Sequence, residues 1–594
     1  MEKFIITIDG MKVQCQKGDT VLTAAKRADI HIPTLCYLKE INEIGACRLC
    51  IVDIEGQRNL QPACVFPASN DMVVKTNTNQ LRKARKNVLK LLLSNHDREC
   101  LTCTRSKTCE LQDLAEEFNV DEVPFETNRT NHTIDDNSPS IVRDTSKCVL
   151  CGRCIAVCRD MQKAEILDFT NRGIDTQVTP AFNDSLVETD CISCGQCIMA
   201  CPVGALKEKE DIEKVWDAIE DEDVHVVVQT APAIRTALGE EFGLPIGTRV
   251  TGKMVTALKR IGFSKVFDTN FAADLTIMEE GYELLNRLET GKNLPLITSC
   301  SPGWVNYCEI KAPEYISNLS SCKSPHQMFG AIVKTYYAEK NNIDPSKIFV
   351  VSVMPCTAKK GEAARVENQV NGHKDVDAVI TTRELAKMIK QAGIDFNKLN
   401  DSEFDNPLGE YSGAAAIFGA TGGVMEAALR TVADVVEGRD IEPVEYQEVR
   451  GIDGVKEATI KLGGKEINVA VAHGTKMAQE LLDKIAAGEK QYHFVEVMGC
   501  SGGCVTGGGQ PHVSSTIDTD VRVERAKVLY KEDNIQKVRK SHKNPFIQKL
   551  YQEFLQAPNS EKAHKLLHTH YVPRAKGIKN RADGALHEIA VSDD

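Results

Sequence analysis

Short apolar runs rich in Val and Ile recur through the later part of the chain: VHVVVQT, LPLITS, IFVVSVM, DAVITT, INVAVAHG and YHFVEVM. Helical stretches such as GYELLNRLETG and MEAALRTVADVVEG separate them. Runs of this kind alternating with helices predict buried, largely parallel strands in an α/β fold from about residue 211 onward. The N-terminal end has a different rhythm. FIITIDG and KVQCQ alternate with period two and GDTVLTAAKRADI begins a helix, which predicts a small strand-rich domain over residues 1–80. A basic amphipathic stretch, LRKARKNVLKLLLSNH, opens a second unit, 81–140, that ends in a polar linker at about 128–140. The residues from 574 to 594 are polar and read as a loosely ordered tail.

At 594 residues the chain is long enough for roughly four domains of about 150 residues each. Its net charge of -12 offers no basic footprint for a nucleic-acid partner. The opening MEKFIITIDG lacks the segments of a secretory signal, and no run approaches the ~18 apolar residues of a membrane span. The expected location is cytoplasmic. That bears on the 22 cysteines, because disulfides are rare in reducing compartments, where closely spaced cysteines more often bind metal.

Nineteen of those cysteines fall into ligand patterns; Cys15, Cys308 and Cys322 match none and read as small buried apolar residues. Cys36, Cys47, Cys50 and Cys64 lie around GACRLC, a Gly-bearing loop that suits a 2Fe-2S cluster, with a zinc site as the alternative. Cys100, Cys103 and Cys109 are one thiolate short of a cubane's four ligands. His96 is the nearest candidate for the fourth, since imidazole suits iron. Over 141–210, Cys148, Cys151, Cys154 and Cys158, then Cys191, Cys194, Cys197 and Cys201 before Pro202, repeat the two-cluster ferredoxin run, in which each fourth cysteine ligates the other cluster.

Four more cysteines directly follow predicted strands of the large α/β domain, 211–573. Cys300 follows LPLITS, Cys356 follows IFVVSVMP, and Cys500 and Cys504 follow YHFVEVMG. Ligands of open α/β sheets gather beyond the carboxyl ends of the strands, so these thiols are expected to converge on one further metal centre. The surrounding glycines admit a bulky group, Met354 and Met498 offer soft walls, and Lys359 is placed to bind an anionic ligand.

SCSPGW, MPCTAKKGEAAR and EVMGCSGGCVTGGGQPH resemble the three signature segments of iron-only (FeFe) hydrogenases, and the cluster series before them resembles the clostridial-type architecture of that family. The resemblance spans residues 1 to about 573. The first two domains also resemble the large iron-sulfur subunit of respiratory complex I, which supports His96 as a ligand. The expected architecture is an α/β multidomain chain: a ferredoxin-like 2Fe-2S domain, a small His/Cys 4Fe-4S domain, a two-cluster ferredoxin domain and the large catalytic domain.

The resemblance implies one 2Fe-2S cluster, three accessory 4Fe-4S clusters and an H-cluster, a 4Fe-4S cubane joined to a diiron unit with CO, cyanide and azadithiolate. It implies that Cys504 is the bridge, that Cys356 and Cys500 hold the cubane, that Lys359 binds a cyanide, and that Met354 and Met498 pack against the diiron unit. Ala231, Pro232, Gln327 and Phe418 match positions that line the pocket. The family usually has two adjacent cysteines in the first segment; this chain has Cys300 and Ser301. Either Cys300 becomes the fourth cubane ligand and Ser301 helps carry protons, or Ser301 ligates and Cys300 keeps the relay. Glu280 and Glu283, three apart on one helix face, and Ser320 complete the implied proton route.

The implied reaction is the reversible conversion of 2H+ and 2e- into H2, with a hydrogen-sensing regulatory protein as the rival. Partners implied are ferredoxin, flavin-containing NAD-linked subunits, or both, together with hydrogenase maturation proteins. GATGGVMEAAL, from Gly419, lacks the fingerprint of a nucleotide cradle and is expected to pack beside the H-cluster instead.

Overall fold

The computed structural model describes residues 3–125, 132–442, 444–514 and 519–576. Most of the expected C-terminal tail and the first part of the 128–140 linker lie outside the described residues. Among those described, no helix is long and apolar enough to cross a membrane.

The first unit is a five-stranded sheet in the order Met11–Gln16, Lys3–Ile8, Val73–Lys75, Ile51–Ile54, Gln61–Pro62. Alternation in Lys3–Ile8 buries Ile6 and Ile8 while Ile5 faces outward, as period two requires. The helix Val21–Arg27 begins where Thr20 Oγ1 accepts the Thr23 amide at 3.1 Å. A second capped helix, Asn79–Ser94, buries Leu81, Arg85 and Leu89 along one stripe, and Arg85 donates to the Ile51 carbonyl, tying this helix to the first sheet. The ferredoxin-like unit holds an antiparallel sheet of Leu206–Glu208, Ile141–Asp144 and Ile134–Asp135. Its internal repeat is visible in the backbone. The short helices Arg153–Ala156 and Gln196–Ala200 each start after a left-handed glycine, Gly152 and Gly195.

The large domain contains two four-stranded sheets. One runs Lys265–Asp268, His225–Thr230, Ile348–Met354, Ala378–Thr381, all parallel. The other runs Leu296–Ile297, Phe494–Met498, Lys465–His473, Lys456–Leu462, parallel except for the last pair. The largely parallel α/β expectation describes these sheets, with an antiparallel edge added. The strands Lys265–Asp268 and Lys456–Leu462 are additions to the sequence reading; the latter alternates half-buried and exposed positions and so shows no apolar run.

Between the two cores passes the helix Thr269–Thr290, capped by Asp268. Phe271, Leu275 and Met278 face one core, while Ala273, Ile277 and Leu284 face the other. A helix buried on all sides can carry a polar residue into the interior, and this one carries Glu280 there. The C-terminal helix Val521–Ile535 is fixed to the domain by buried ion pairs, Arg430 with Asp533 at 2.8 Å and Arg525 with Glu240 at 2.6 Å.

Candidate functional site

Two pairs of the N-terminal thiols lie side by side. Cys50 and Cys64 sulfurs lie 3.3 Å apart, and the Cys47 amide donates to Cys36 Sγ. The Cys36 sulfur beside Cys47 holds the Cys47 thiol below its ordinary range, against the opposing effect of burial. His96 is half-buried, with its Nδ1 atom enclosed and lacking any protein hydrogen-bond partner. An enclosed imidazole nitrogen left bare is prepared for a metal. In the ferredoxin-like unit one cavity is lined by Cys148, Cys151, Cys154 and Cys201 and a second by Cys158, Cys191, Cys194 and Cys197. Each takes its fourth thiol from the other run.

Two contacts lead to the first of these cavities. Asn42 Nδ2 donates to both the Cys36 and Cys151 carbonyls, linking the first loop to it. Arg105, beside Cys103, donates to the Cys201 carbonyl at 2.7 Å. The second cavity faces the large domain. There Gly195 and Gly508 touch backbone to backbone; a Cβ on Gly508 would meet the Cys194 carbonyl at 2.6 Å. Gln196 Nε2 donates to Cys500 Sγ at 3.2 Å across the same junction.

The large domain holds a cavity of about 80 Å3 at the carboxyl ends of strands from both sheets. Cys300, Ser301, Cys356, Cys500 and Cys504 line it with Lys359, Ala231, Pro232, Met354, Phe418 and Met498. Residues 200 apart in sequence meet because each follows a strand whose neighbours are parallel. Burial pushes the Cys504 thiol up to about 12, and Cys300 and Cys500 well above the usual range. Thiols that line one cavity in this way are stabilised when a metal takes their protons. Lys359 Nζ bonds the Cys300 carbonyl at 3.0 Å and Glu362 at 2.8 Å, using two of its three N–H groups. The donor set of soft sulfurs, one ammonium and walls of Ala, Pro, Met and Phe fits a bulky iron-sulfur group with anionic ligands.

On the far side of Cys300 the carboxylates align. Burial, then the neighbouring Glu283, pushes Glu280 up to about 8. Ser320 Oγ donates to Glu283 Oε2 at 2.8 Å, and Glu283 pairs with Arg287 at 2.6 Å. Ser320, Glu283 and Arg287 thus form one bonded run, and Glu280 precedes Glu283 by three residues on the same helix.

Some placements differ from the sequence reading. His326 lines the cavity, while Gln327 lies behind it with Nε2 3.1 Å from His326 Nε2. Glu362 joins His326 and Lys359, and their charges hold its carboxyl far below the usual range against the opposing effect of burial. Glu362 was within reach of sequence reasoning, three residues past Lys359 on one helix; His326 and Gln196 carry no such local signal. Cys15, Cys308 and Cys322 lie in apolar cores as expected, although Cys322 Sγ also approaches Glu283 at 3.9 Å. The glycine run after Gly419 packs beside the cavity. Its amides at Gly422 and Met425 are taken by the buried Glu496 carboxylate, so that helix start is already occupied by an anion of the chain itself.

Residues 224–508 match the iron only hydrogenase large subunit, C-terminal domain, and 519–574 the iron hydrogenase small subunit. Residues 2–79 match a 2Fe-2S iron-sulfur cluster binding domain, 85–124 the NADH-ubiquinone oxidoreductase-G iron-sulfur binding region, and 138–207 the ferredoxin-like domain of NADH-quinone oxidoreductase subunit 3. Among similar proteins, the NADP-reducing hydrogenase subunit HndD of Solidesulfovibrio fructosivorans is 51% identical over 97% of this chain and 100% of its own length. Iron hydrogenase 1 of Clostridium pasteurianum is 43% identical over 95% and 99%. The apo [FeFe]-hydrogenase of Chlamydomonas reinhardtii superposes with a TM-score of 0.55 at 42% identity, over 61% of this chain and 99% of that one. With its cysteine-lined cavity and near-complete alignment to these relatives, the chain belongs to the iron-only (FeFe) hydrogenase family.

Proposed function

We propose that this chain is the hydrogen-converting subunit of a cytoplasmic assembly that exchanges electrons with flavin-containing, NAD- or NADP-linked partner subunits. The reaction is 2H+ + 2e- to H2 and its reverse. The cofactor set is one 2Fe-2S cluster, three accessory 4Fe-4S clusters and the H-cluster, the last installed with the help of maturation proteins. When bound, the H-cluster supplies the iron site at which protons and electrons combine. Cys356, Cys500 and Cys504 hold it, Lys359 binds an anionic ligand on it, and Met354, Met498 and Phe418 keep water out.

Protons pass between the cavity and the surface through Cys300, Glu280, Ser320 and Glu283, in that order. The Cys300 thiol donates into the cavity and recovers its proton from Glu280, which near neutral pH retains one to give. Ser320 relays by accepting on one side and donating on the other. Glu283, half-buried beside Arg287, exchanges with solvent. Electrons enter at the N-terminal domains, gather at the Cys148/Cys151/Cys154/Cys201 centre, and leave through the Cys194 loop toward Cys500.

One observation carries the reading: Cys356, Cys500 and Cys504 meet Lys359 at a single buried cavity that abuts the Cys194 loop. The NAD- or NADP-linked partner is supported by the complex I-like segments and by the relative whose name is NADP-reducing. The cytoplasmic placement is supported by 22 cysteines with no disulfide among them. Purification from the native cell tests the partner. Co-elution with flavoprotein subunits and H2-dependent reduction of NAD or NADP supports the assembly; a single polypeptide fully active with ferredoxin alone assigns it to the ferredoxin-linked form.

A further inference from the structure

Cys300 and Ser301 sit side by side at the cavity wall, yet the backbone sends their side chains in different directions. Ser301 has extended φ and ψ, -100° and 101°, and successive side chains of extended backbone point to opposite faces. Cys300 is half-buried against the core that contains Ala273 and Ile277 of the helix carrying Glu280. Ser301 turns toward the neighbouring strand of its own sheet, Phe494–Met498. Its Oγ accepts the Gly499 amide at 3.0 Å, one residue before Cys500.

Ser301 is also the residue that starts the helix Pro302–Lys311, where a serine hydroxyl ordinarily caps the first turn. Here the side chain makes no capping bond. It is committed to the Gly499–Cys500 turn. That turn abuts the Cys194 loop: Gln196 reaches Cys500 Sγ, and a Cβ on Gly303 would touch Cys194 Cβ at 3.6 Å. Ser301 thus belongs to the half of the cavity nearest the electron relay, and Cys300 to the half nearest the proton relay.

Resting on the H-cluster reading, we infer that Ser301 Oγ, and not Cys300 Sγ, is the fourth protein ligand of the cubane. Binding forms an Fe–O bond and releases the hydroxyl proton to solvent. The alkoxide so formed retains the Gly499 N–H as a charge-assisted donor, and this offsets part of the cost of ionising a hydroxyl. Cys300 stays uncoordinated, which leaves its thiol free to move protons. A harder, more basic oxygen donor favours the oxidised iron, so the cubane has a lower reduction potential than one with four thiolates.

The test uses the full-length protein produced without diiron insertion, with iron content, 57Fe Mössbauer spectra and EPR-monitored redox titration as readouts. The wild-type chain should show one 4Fe-4S centre beyond the three accessory ones. Ser301→Ala should lower the iron content and convert that centre to a 3Fe-4S signal on oxidation, while Cys300→Ala should leave its spectrum and iron content as in wild type. Ser301→Cys should keep the iron and raise the potential, and it remains decisive if Ser301→Ala does not fold, because an unchanged potential overturns the assignment. Loss of the centre in Cys300→Ala, or its persistence unchanged in Ser301→Ala, also overturns it. A wild-type chain with no such centre would instead overturn the H-cluster reading beneath it.

Discussion

Gln196 and Cys500 come from segments 304 residues apart, and the amide of the one donates to the sulfur of the other at 3.2 Å. The same amide also donates to the Thr506 carbonyl at 3.0 Å. This fixes a hydrogen bond on the sulfur proposed as a cluster ligand, at the point where the ferredoxin-like unit meets the cavity. Hydrogen bonds to sulfur stabilise the reduced, more negative cluster. Gln196→Leu should therefore lower the cubane potential by about 40 mV, the equivalent of one hydrogen bond of about 1 kcal/mol. A redox titration followed by EPR reads the shift.

Glu283 is the outermost carboxylate of the proton route and is bonded by both Ser320 and Arg287. Glu283→Gln retains the shape and removes the proton exchange. Turnover should fall by roughly 10²–10⁴-fold, the usual contribution of a positioned acid or base, with iron content and infrared spectrum unchanged. Hydrogen evolution assays on fully matured protein check this. Retained activity would mean that protons leave by another path.

Glu280 titrates at about 8, raised mainly by burial. Below that pH it holds a proton to give; above it the carboxylate is ionised. Hydrogen evolution should fall about tenfold per pH unit beyond about 8, while hydrogen oxidation, which needs Glu280 to accept, should rise toward the same pH. Paired pH profiles in the two directions, with the Glu280→Gln variant as control, measure it.

Arg383 holds the 507–510 loop and the ferredoxin-like unit together. It forks onto Glu208 at 2.7 and 3.1 Å and donates to the Gly508 carbonyl at 2.9 Å. Burial alone would raise the Glu208 carboxyl, but Arg383 prevails and holds it at about 2. A depressed carboxylate stabilises the fold above its unfolded value near 4.3 and loses that contribution as pH falls toward 2. Arg383→Met strands a buried carboxylate at a cost of about 3–5 kcal/mol. Amide exchange in residues 507–510 should accelerate at least about a hundredfold at neutral pH, as read by mass spectrometry.

Much of this site is legible in the sequence because iron-sulfur ligation leaves local spacing behind. Cys148 to Cys158 and Cys191 to Cys201 repeat at fixed intervals, and Cys356 and Cys500 follow apolar runs whose ends fix where the thiols lie. What spacing does not encode is orientation. Cys300 and Ser301 are adjacent, and only the extended backbone and the Gly499 bond separate their roles. Pairings between distant elements are equally silent: His568 lies 3.0 Å from Glu279, and Glu496 occupies the turn at Gly422. Residues such as His326 and Gln196 resemble ordinary core or surface polar groups until the fold brings their partners near.

The infrared spectrum of the fully matured chain tests the central claim most directly. The account predicts sharp bands from CO and cyanide bound to iron, lost when Cys504 is replaced by Ala. A spectrum without such bands, from protein with all of its ferredoxin-type clusters in place, would contradict it.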